Sequence, residues 1–230
     1  MKIRIIRTDT FVGDAVAIIH DAALEAIAAR GIFRFCLCGG NTPRPVYAEL
    51  AKLYLDLPWE KIQVTFGDER CVPPDDEQSN YKMARKTLFD AVNFPEGNIF
   101  RIRGEIAPGD AALEYEQKLA HVAERFGEER YAHDLLLLGL GEDGHTASLF
   151  PGSPALDETA RNVIPAIGPK PPPQRITFTL PLINAARHVC FLVNDPAKSE
   201  IIERATSGDE RLPAARVKPA SGRLTWLIGL

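Results

Sequence analysis

Apolar positions along this chain switch repeatedly between a helical period and short continuous runs. In the opening segment, Met1-Lys2-Ile3-Arg4-Ile5-Ile6-Arg7, charged and β-branched residues alternate as in a strand. Phe11, Ala15, Ile18, Ala22 and Ala26 then recur at helical spacing, joined by Val12, Val16, Ile19 and Ile27. Thr8, Asp9 or Thr10 can cap that helix, and Gly31 ends it. Residues 32–38 read as a second strand, 43–53 as a helix with proline in its first turn, and 62–66 as a third strand. A helix opened by Ser79 or Asn80 is expected to reach Phe89, followed by a short strand at 99–102. Positions 115, 119, 122 and 126 mark an amphipathic helix over 112–126, ahead of a Leu-rich strand at 134–140. Strands are expected again at 175–180, 188–193 and 224–228, with a helix at 197–205 between the last two. Strands alternating with helices predict βαβ units and a parallel sheet.

At 230 residues the chain suits one α/β domain spanning 1–230. The proline-rich segment 169–173 is read as a stiff surface loop, because the residues after it would make a poor separate core. No stretch nears the roughly 20 apolar residues needed to span a bilayer, and the N-terminus lacks the pattern of an export signal, so a cytoplasmic protein is expected. A net charge of −4, from 27 Lys and Arg against 31 Asp and Glu, speaks against a broad nucleic-acid-binding face. The expected state is a monomer or weak homodimer. The four cysteines, at 36, 38, 71 and 190, show no metal-ligand spacing, and no cofactor is expected. Cys71 borders a polar loop and is the one candidate reactive thiol.

Three strand ends carry polar, glycine-bearing sequences, where an open parallel sheet binds its ligands. Cys38-Gly39-Gly40-Asn41-Thr42-Pro43 precedes a helix, so its backbone N–H groups and the Thr42 hydroxyl suit a phosphate. It is neither a Walker loop nor a dinucleotide fingerprint. In Gly67-Asp68-Glu69-Arg70, Arg70 can hold an anion or developing oxyanion, and Asp68 can orient it or move a proton. In Gly141-Glu142-Asp143-Gly144-His145, an imidazole suited to general acid–base work has a carboxylate two residues away that can fix its tautomer. Arg175 and Lys198 are cations that can converge on a phosphate. His20, His121, His133 and His188 fall within regular elements, where structural roles are expected.

Together these loops resemble those of the 6-phosphogluconolactonases. The matching pieces are CGGNTP at 38–43, FGDER at 66–70, SNY at 79–81, GLGEDGHTASLFPG at 139–152, RITFTL at 175–180 and NDPAK at 194–198, in the family's order. The 139–152 block is the most specific, and its first part is shared with glucosamine-6-phosphate deaminases. The resemblance implies a doubly wound α/β fold of the deaminase and ribose-5-phosphate isomerase type, with a mostly parallel sheet and helices on both faces. It further implies hydrolysis of 6-phospho-D-glucono-1,5-lactone to 6-phospho-D-gluconate, the second step of the oxidative pentose phosphate pathway, with a sugar-phosphate lactone as the small-molecule partner. His145 is the implied base, with Asp68, Arg70 and Asp143 around it. Gly40 and Thr42 of the first loop, with Arg175 and Lys198, are the implied phosphate contacts, and Gly39 and Asn41 of that loop are counted with them. Cys38 and Asn41 replace serines more usual in that loop. The acidic residue that many relatives carry after the last tryptophan is absent beyond Trp226.

Two other functions fit the same loops. A glucosamine-6-phosphate deaminase or isomerase would carry an acid five residues after the Asp-Gly-His histidine, where this chain has Phe150. A non-catalytic sugar-phosphate sensor would normally append a basic helix-turn-helix, for which the sequence shows no basic segment.

Overall fold

The computed structural model describes residues 2–54, 57–220 and 222–230. Six parallel strands form the main sheet: β1 (Lys2–Thr8), β2 (Phe33–Leu37), β3 (Ile62–Phe66), β5 (Leu135–Leu138), β8 (His188–Val193) and β9 (Arg223–Gly229), in the order β1-β9-β8-β5-β2-β3. Every residue of β2, β3, β5 and β8 is buried, which is why β5 and most of β8 read as continuous apolar runs, while β2 and β3 also bury Arg34, Gln63 and Thr65. β1 lies at the edge and leaves Ile3 and Ile5 half exposed.

The chain steps outward from β1 to β2 to β3, then returns through β5, β8 and β9. Right-handed crossovers in opposite directions place helices on both faces, the doubly wound arrangement expected. The reversal falls between β2 and β5, so their carboxyl ends flank the crevice where ligands bind in such sheets.

The helices follow the expected pattern with shifted ends. α1 (Phe11–Arg30) closes on Gly31 in the left-handed conformation, and α2 (Pro43–Leu53) opens with proline in its first turn. α3 (Asn80–Ala84) is capped by Ser79, whose hydroxyl accepts from the Lys82 amide at 3.2 Å, and continues as a wider π-type turn through Arg85–Phe89. α4 (Pro108–Arg125) starts four residues before the expected 112, because proline fits a first helical turn. It stops at Arg125. Phe126 therefore leaves the apolar stripe, and its exposed ring is covered by the Arg34 guanidinium at 4.7 Å. α6 (Ser199–Thr206) follows a 3₁₀ turn at Pro196–Lys198.

Elements at 99–102, 68–70, 163–167 and 180–184 differ from expectation in kind. Residues 99–102 form no strand: Ile99, Phe100 and Ile102 are buried, but only Ile99 bridges to Val64 of β3. Asp68–Arg70 is a strand, β4, where a loop was expected. It pairs antiparallel with β7 (Gln174–Phe178), which pairs with β6 (Val163–Ile167) in a small second sheet. The segment 169–173 lies in the turn of the β6–β7 hairpin, closed by Gly168 N–H donating to the Pro173 carbonyl at 2.7 Å. Leu180 belongs to a short helix, α5 (Leu180–Asn184), rather than to the preceding strand. Among the described residues no helix is long and apolar enough to cross a membrane.

Two histidines are built into the core. His133 stands between Tyr131 and Phe178, with Nε2 on the Thr65 hydroxyl at 2.8 Å, and His188 meets the Thr225 hydroxyl at 2.9 Å. Burial lowers their pKa values to about 3 and about 4, helped by the charges of Arg34 and Arg223 respectively. The unfolded chain, with imidazoles near 6.5, then takes up protons first as pH falls. Their contribution to stability is complete above about pH 6.5 and drains away below it, by about 1.4 kcal/mol per pH unit for each. We expect the thermal midpoint of a His133→Gln/His188→Gln double variant to depend less steeply on pH between 6.5 and 4 than wild type. Equal slopes would show that these rings are not held neutral.

Candidate active site

The three polar loops meet at the carboxyl ends of β2, β3 and β5. Gly67 joins the two sheets there: its N–H donates to the Leu37 carbonyl at 3.1 Å, and its own carbonyl accepts from Phe178 at 2.8 Å. β4 is thereby hung from the end of the main sheet. Alternation along β4 turns Asp68 and Arg70 to one face and Glu69 to the other.

The loop after β5 is folded on itself. Gly141 N–H donates to the His145 carbonyl at 2.8 Å, and Thr146 Oγ1 donates to the Gly139 carbonyl at 2.8 Å. A Cβ on Gly141 would lie 2.0 Å from His145 Nδ1, so only glycine lets the ring settle onto the backbone. Asp143 Oδ1 accepts from the His145 backbone N–H at 3.1 Å and from Nδ1 at 2.5 Å. Burial tends to raise the Asp143 pKa, but these hydrogen bonds outweigh it and hold the carboxyl below its usual value. An ionised carboxylate can only accept, so Nδ1 carries a hydrogen, and in the neutral tautomer that fits this bond the lone pair lies on Nε2. The arrangement leaves Nε2 able to accept a proton. The Phe150 ring packs against the imidazole, with centroids 4.6 Å apart.

Arg70 stands directly opposite Arg175 in the β4–β7 register. Arg70 Nη1 donates to the Gln78 carbonyl at 2.6 Å and Arg175 Nη2 to the Lys170 carbonyl at 3.3 Å, while Nε of each is buried without a partner. Burial, and next the charge of Arg70, lower the Arg175 pKa. Like charges directly opposed across a sheet are destabilising, and the pair presents two guanidinium groups suited to an anion. Arg175 also approaches Phe150 where both pass Gly168, which connects the arginine pair to the imidazole through one aromatic ring.

Asp68 is held at both oxygens: Oδ1 accepts from Asn80 Nδ2 at 3.1 Å and Oδ2 from Ser148 Oγ at 2.7 Å. Its bonds thus tie it to α3 and to the His145 loop, and Asp143 is the carboxylate bonded to the imidazole. Lys198 Nζ donates to the Leu140 carbonyl at 2.7 Å, which places this cation on the His145 loop. Arg175 and Lys198 are anchored on different carbonyls, each with its own neighbours. Gly39 packs against Asn80, and Gly40, with φ of 94°, Asn41 and Thr42 follow at the start of α2. Thr42 makes no side-chain capping bond. Cys71 is half-buried, and burial raises its thiol pKa despite Arg175, so nothing activates it.

Sequence reasoning singled out neither Glu69 nor Ser148 and gave Asn80 only a helix-opening role. Glu69 sits in a run of charges that reads as a solvated ion-pair loop. Its only sequence signal is its place between two residues of opposite facing in a three-residue strand.

The family described as Glucosamine-6-phosphate isomerases/6-phosphogluconolactonase matches residues 7–226. A 6-phosphogluconolactonase of Synechocystis is 44% identical over 207 residues, covering 89% of this chain and 85% of that protein. A human 6-phosphogluconolactonase is 38% identical over 213 residues, covering 90% and 82%. The crystal structure of a 6-phosphogluconolactonase from Thermotoga maritima superposes with a TM-score of 0.86 at 28% identity, over all of both chains.

An anion seated on the arginine pair relieves its repulsion. Inorganic phosphate is expected to raise the thermal midpoint, by about 2.7 kcal/mol of stability at about 100 times its dissociation constant. Arg175→Met is expected to stabilise the ligand-free protein by up to ~1 kcal/mol and to lose most of the phosphate response. An unchanged response in that variant would place the anion elsewhere.

Proposed function

This chain belongs to the glucosamine-6-phosphate isomerase/6-phosphogluconolactonase family, and we propose that it acts there as a 6-phosphogluconolactonase. The reaction is hydrolysis of 6-phospho-D-glucono-1,5-lactone to 6-phospho-D-gluconate, in the oxidative pentose phosphate pathway. Relatives bearing that name at 44% and 38% identity support the reading. The observation that carries the chemistry is the Asp143–His145 hydrogen bond, which leaves Nε2 as a proton acceptor.

A six-membered lactone is an activated ester, so an oriented water and a base suffice, and the scheme draws on no metal. His145 Nε2 takes a proton from water as the oxygen adds to C1. The tetrahedral intermediate collapses with cleavage of the bond between C1 and the ring oxygen, which receives that proton from the imidazolium. Asp143 stabilises the imidazolium between the two steps. In this scheme Arg70 and Arg175 take the phosphate together, with the start of α2 beside them. Lys198, drawn onto the His145 loop, faces the charge that develops on the C1 oxygen. Asp68 orients the sugar. Fixing both ends of the substrate places the reacting carbon against the base.

The deaminase reading lacks a proton carrier at Phe150, whose ring lies on the imidazole instead. No ammonia release from glucosamine 6-phosphate is expected, and release would favour that reading over the lactonase.

Freshly prepared lactone should be hydrolysed well above its spontaneous rate. His145→Gln is expected to lower kcat by about 10²–10⁴-fold with little change in KM. Asp143→Asn should also lower kcat, because its amide can donate to Nδ1 and hold the wrong tautomer. The depressed pKa of Asp143 means that its own loss of charge comes below the usual value of about 3.9, so it adds no acid limb near neutrality. A His145→Gln enzyme with wild-type kcat would remove the imidazole from the mechanism.

A further inference from the structure

We propose that Asn80, seated by the buried carboxylate of Glu69, is the positioning residue that fixes Asp68 in the cleft; this rests on the lactonase reading above.

Glu69 is 2% exposed and receives four hydrogen bonds. Arg70 N–H and Asn80 N–H donate to Oε1, each at 2.8 Å, while Tyr81 N–H at 2.9 Å and Ser79 Oγ at 3.0 Å donate to Oε2. Burying a carboxylate is costly, and an apolar contact would fasten the start of α3 to β4 at less expense. What the polar arrangement adds is orientation. It pins the backbone on both sides of Asn80, whose side chain is then directed to Asp68, with Nδ2 donating to the Asp68 carbonyl at 2.9 Å and to Oδ1 at 3.1 Å.

The surroundings are shaped to this amide. Asn80 is 3% exposed, and a Cβ on Gly39 would lie 2.0 Å from its Oδ1, so the loop after β2 gives way to it. From the other side Ser148 Oγ binds Asp68 Oδ2, and Ser148 N–H is held by Thr177 Oγ1 at 3.1 Å. Asp68 is therefore gripped by a residue of α3 and a residue of the His145 loop, on the strand face it shares with Arg70. The other ionisable groups that bear on it are Glu69 on β4, Arg175 on β7, and Cys36 and Cys38 at the end of β2. Both thiols are pushed up by burial and stay neutral.

Asn80→Asp tests the role by chemistry rather than by size. Aspartate suits a helix start, but its carboxyl would face Asp68 where an amide now donates. Two carboxyls in contact share one proton and lose it at a raised apparent pKa. While that proton is present, the donor to Asp68 survives; once it leaves, two anions repel. We expect kcat/KM of Asn80→Asp to approach wild type at acid pH and to fall on an alkaline limb that wild type lacks. Circular dichroism at each pH establishes that both proteins are folded. Asn80→Ala, which removes the donor at every pH, should lower kcat/KM by about 10- to 100-fold without such a limb. An active wild type whose Asn80→Asp profile runs parallel to its own, or whose Asn80→Ala keeps full kcat/KM, overturns the positioning role alone. A wild type that does not accelerate lactone hydrolysis overturns the role and the lactonase reading together.

Discussion

Pairing of β4 with β7 sets Arg70 opposite Arg175 and Asp68 opposite Thr177, and the functional face depends on that register. Side chains alternate across a strand, so a slip of β4 by one residue would turn Asp68 and Arg70 inward, away from Arg175 on β7, and bring Glu69 to the cleft. Three residues cannot enforce a register by their own packing. It is enforced at the ends of the strand, by Gly67 bonded to both Leu37 and Phe178, and by Cys71 N–H donating to the Gln174 carbonyl at 3.1 Å. Between those ends, Glu69 collects four donors that are available only on the inner face. The wrong register would leave the Asn80 and Tyr81 N–H groups and the Ser79 hydroxyl without the acceptor they now share, a penalty of several kcal/mol.

The same register concentrates unfavourable terms: two opposed guanidinium groups, an unpartnered Nε on each, and a buried carboxylate one residue away. The opposed guanidinium groups and their unpartnered Nε atoms do not help the protein fold, and the carboxylate fixes the register only at the cost of its burial. They persist because the six-stranded sheet beneath is buried along β2, β3, β5 and β8, and that core supplies the stability which the small sheet spends. Two guanidinium groups held against their own repulsion suit an anion, which would relieve a conflict already built in.

The parallel sheet was legible because doubly buried strands are apolar runs, and α1 because Gly31 closes a long periodic stretch. The His145 loop was legible for a related reason: Asp143 and His145 interact within one turn, so their spacing in sequence is their geometry in space. Elements of the small sheet were not. Asp68–Arg70 has two charges pointing out and one pointing in, a pattern that composition cannot tell from a solvated loop. Pro165 argues against a strand at Val163–Ile167, yet β6 is an edge strand, where a missing N–H is tolerated. Conversely, residues 99–102 are apolar enough for a strand but bridge β3 only at Ile99. The Arg70–Arg175 pairing joins residues more than a hundred positions apart, which no local pattern encodes.

This difference in range separates two jobs. In the proposed scheme proton transfer is assembled locally, within residues 139–150, and needs little from the rest of the chain beyond a strand end to stand on. The proposed seat for the anion and the grip on Asp68 are assembled over long range, from β4, α3 and β7. Phe150 is where the two meet: its ring lies on the imidazole and its far edge reaches the Gly168 and Arg175 side of the cleft. An acid at that position would add a second titrating group beside His145 and support proton relays for ring opening. A phenyl ring does the opposite. It leaves the imidazole with one carboxylate partner and covers one side of it with an apolar surface. A single base acting on an activated ester requires no more, so the identity of residue 150 and the simplicity of lactone hydrolysis are matched.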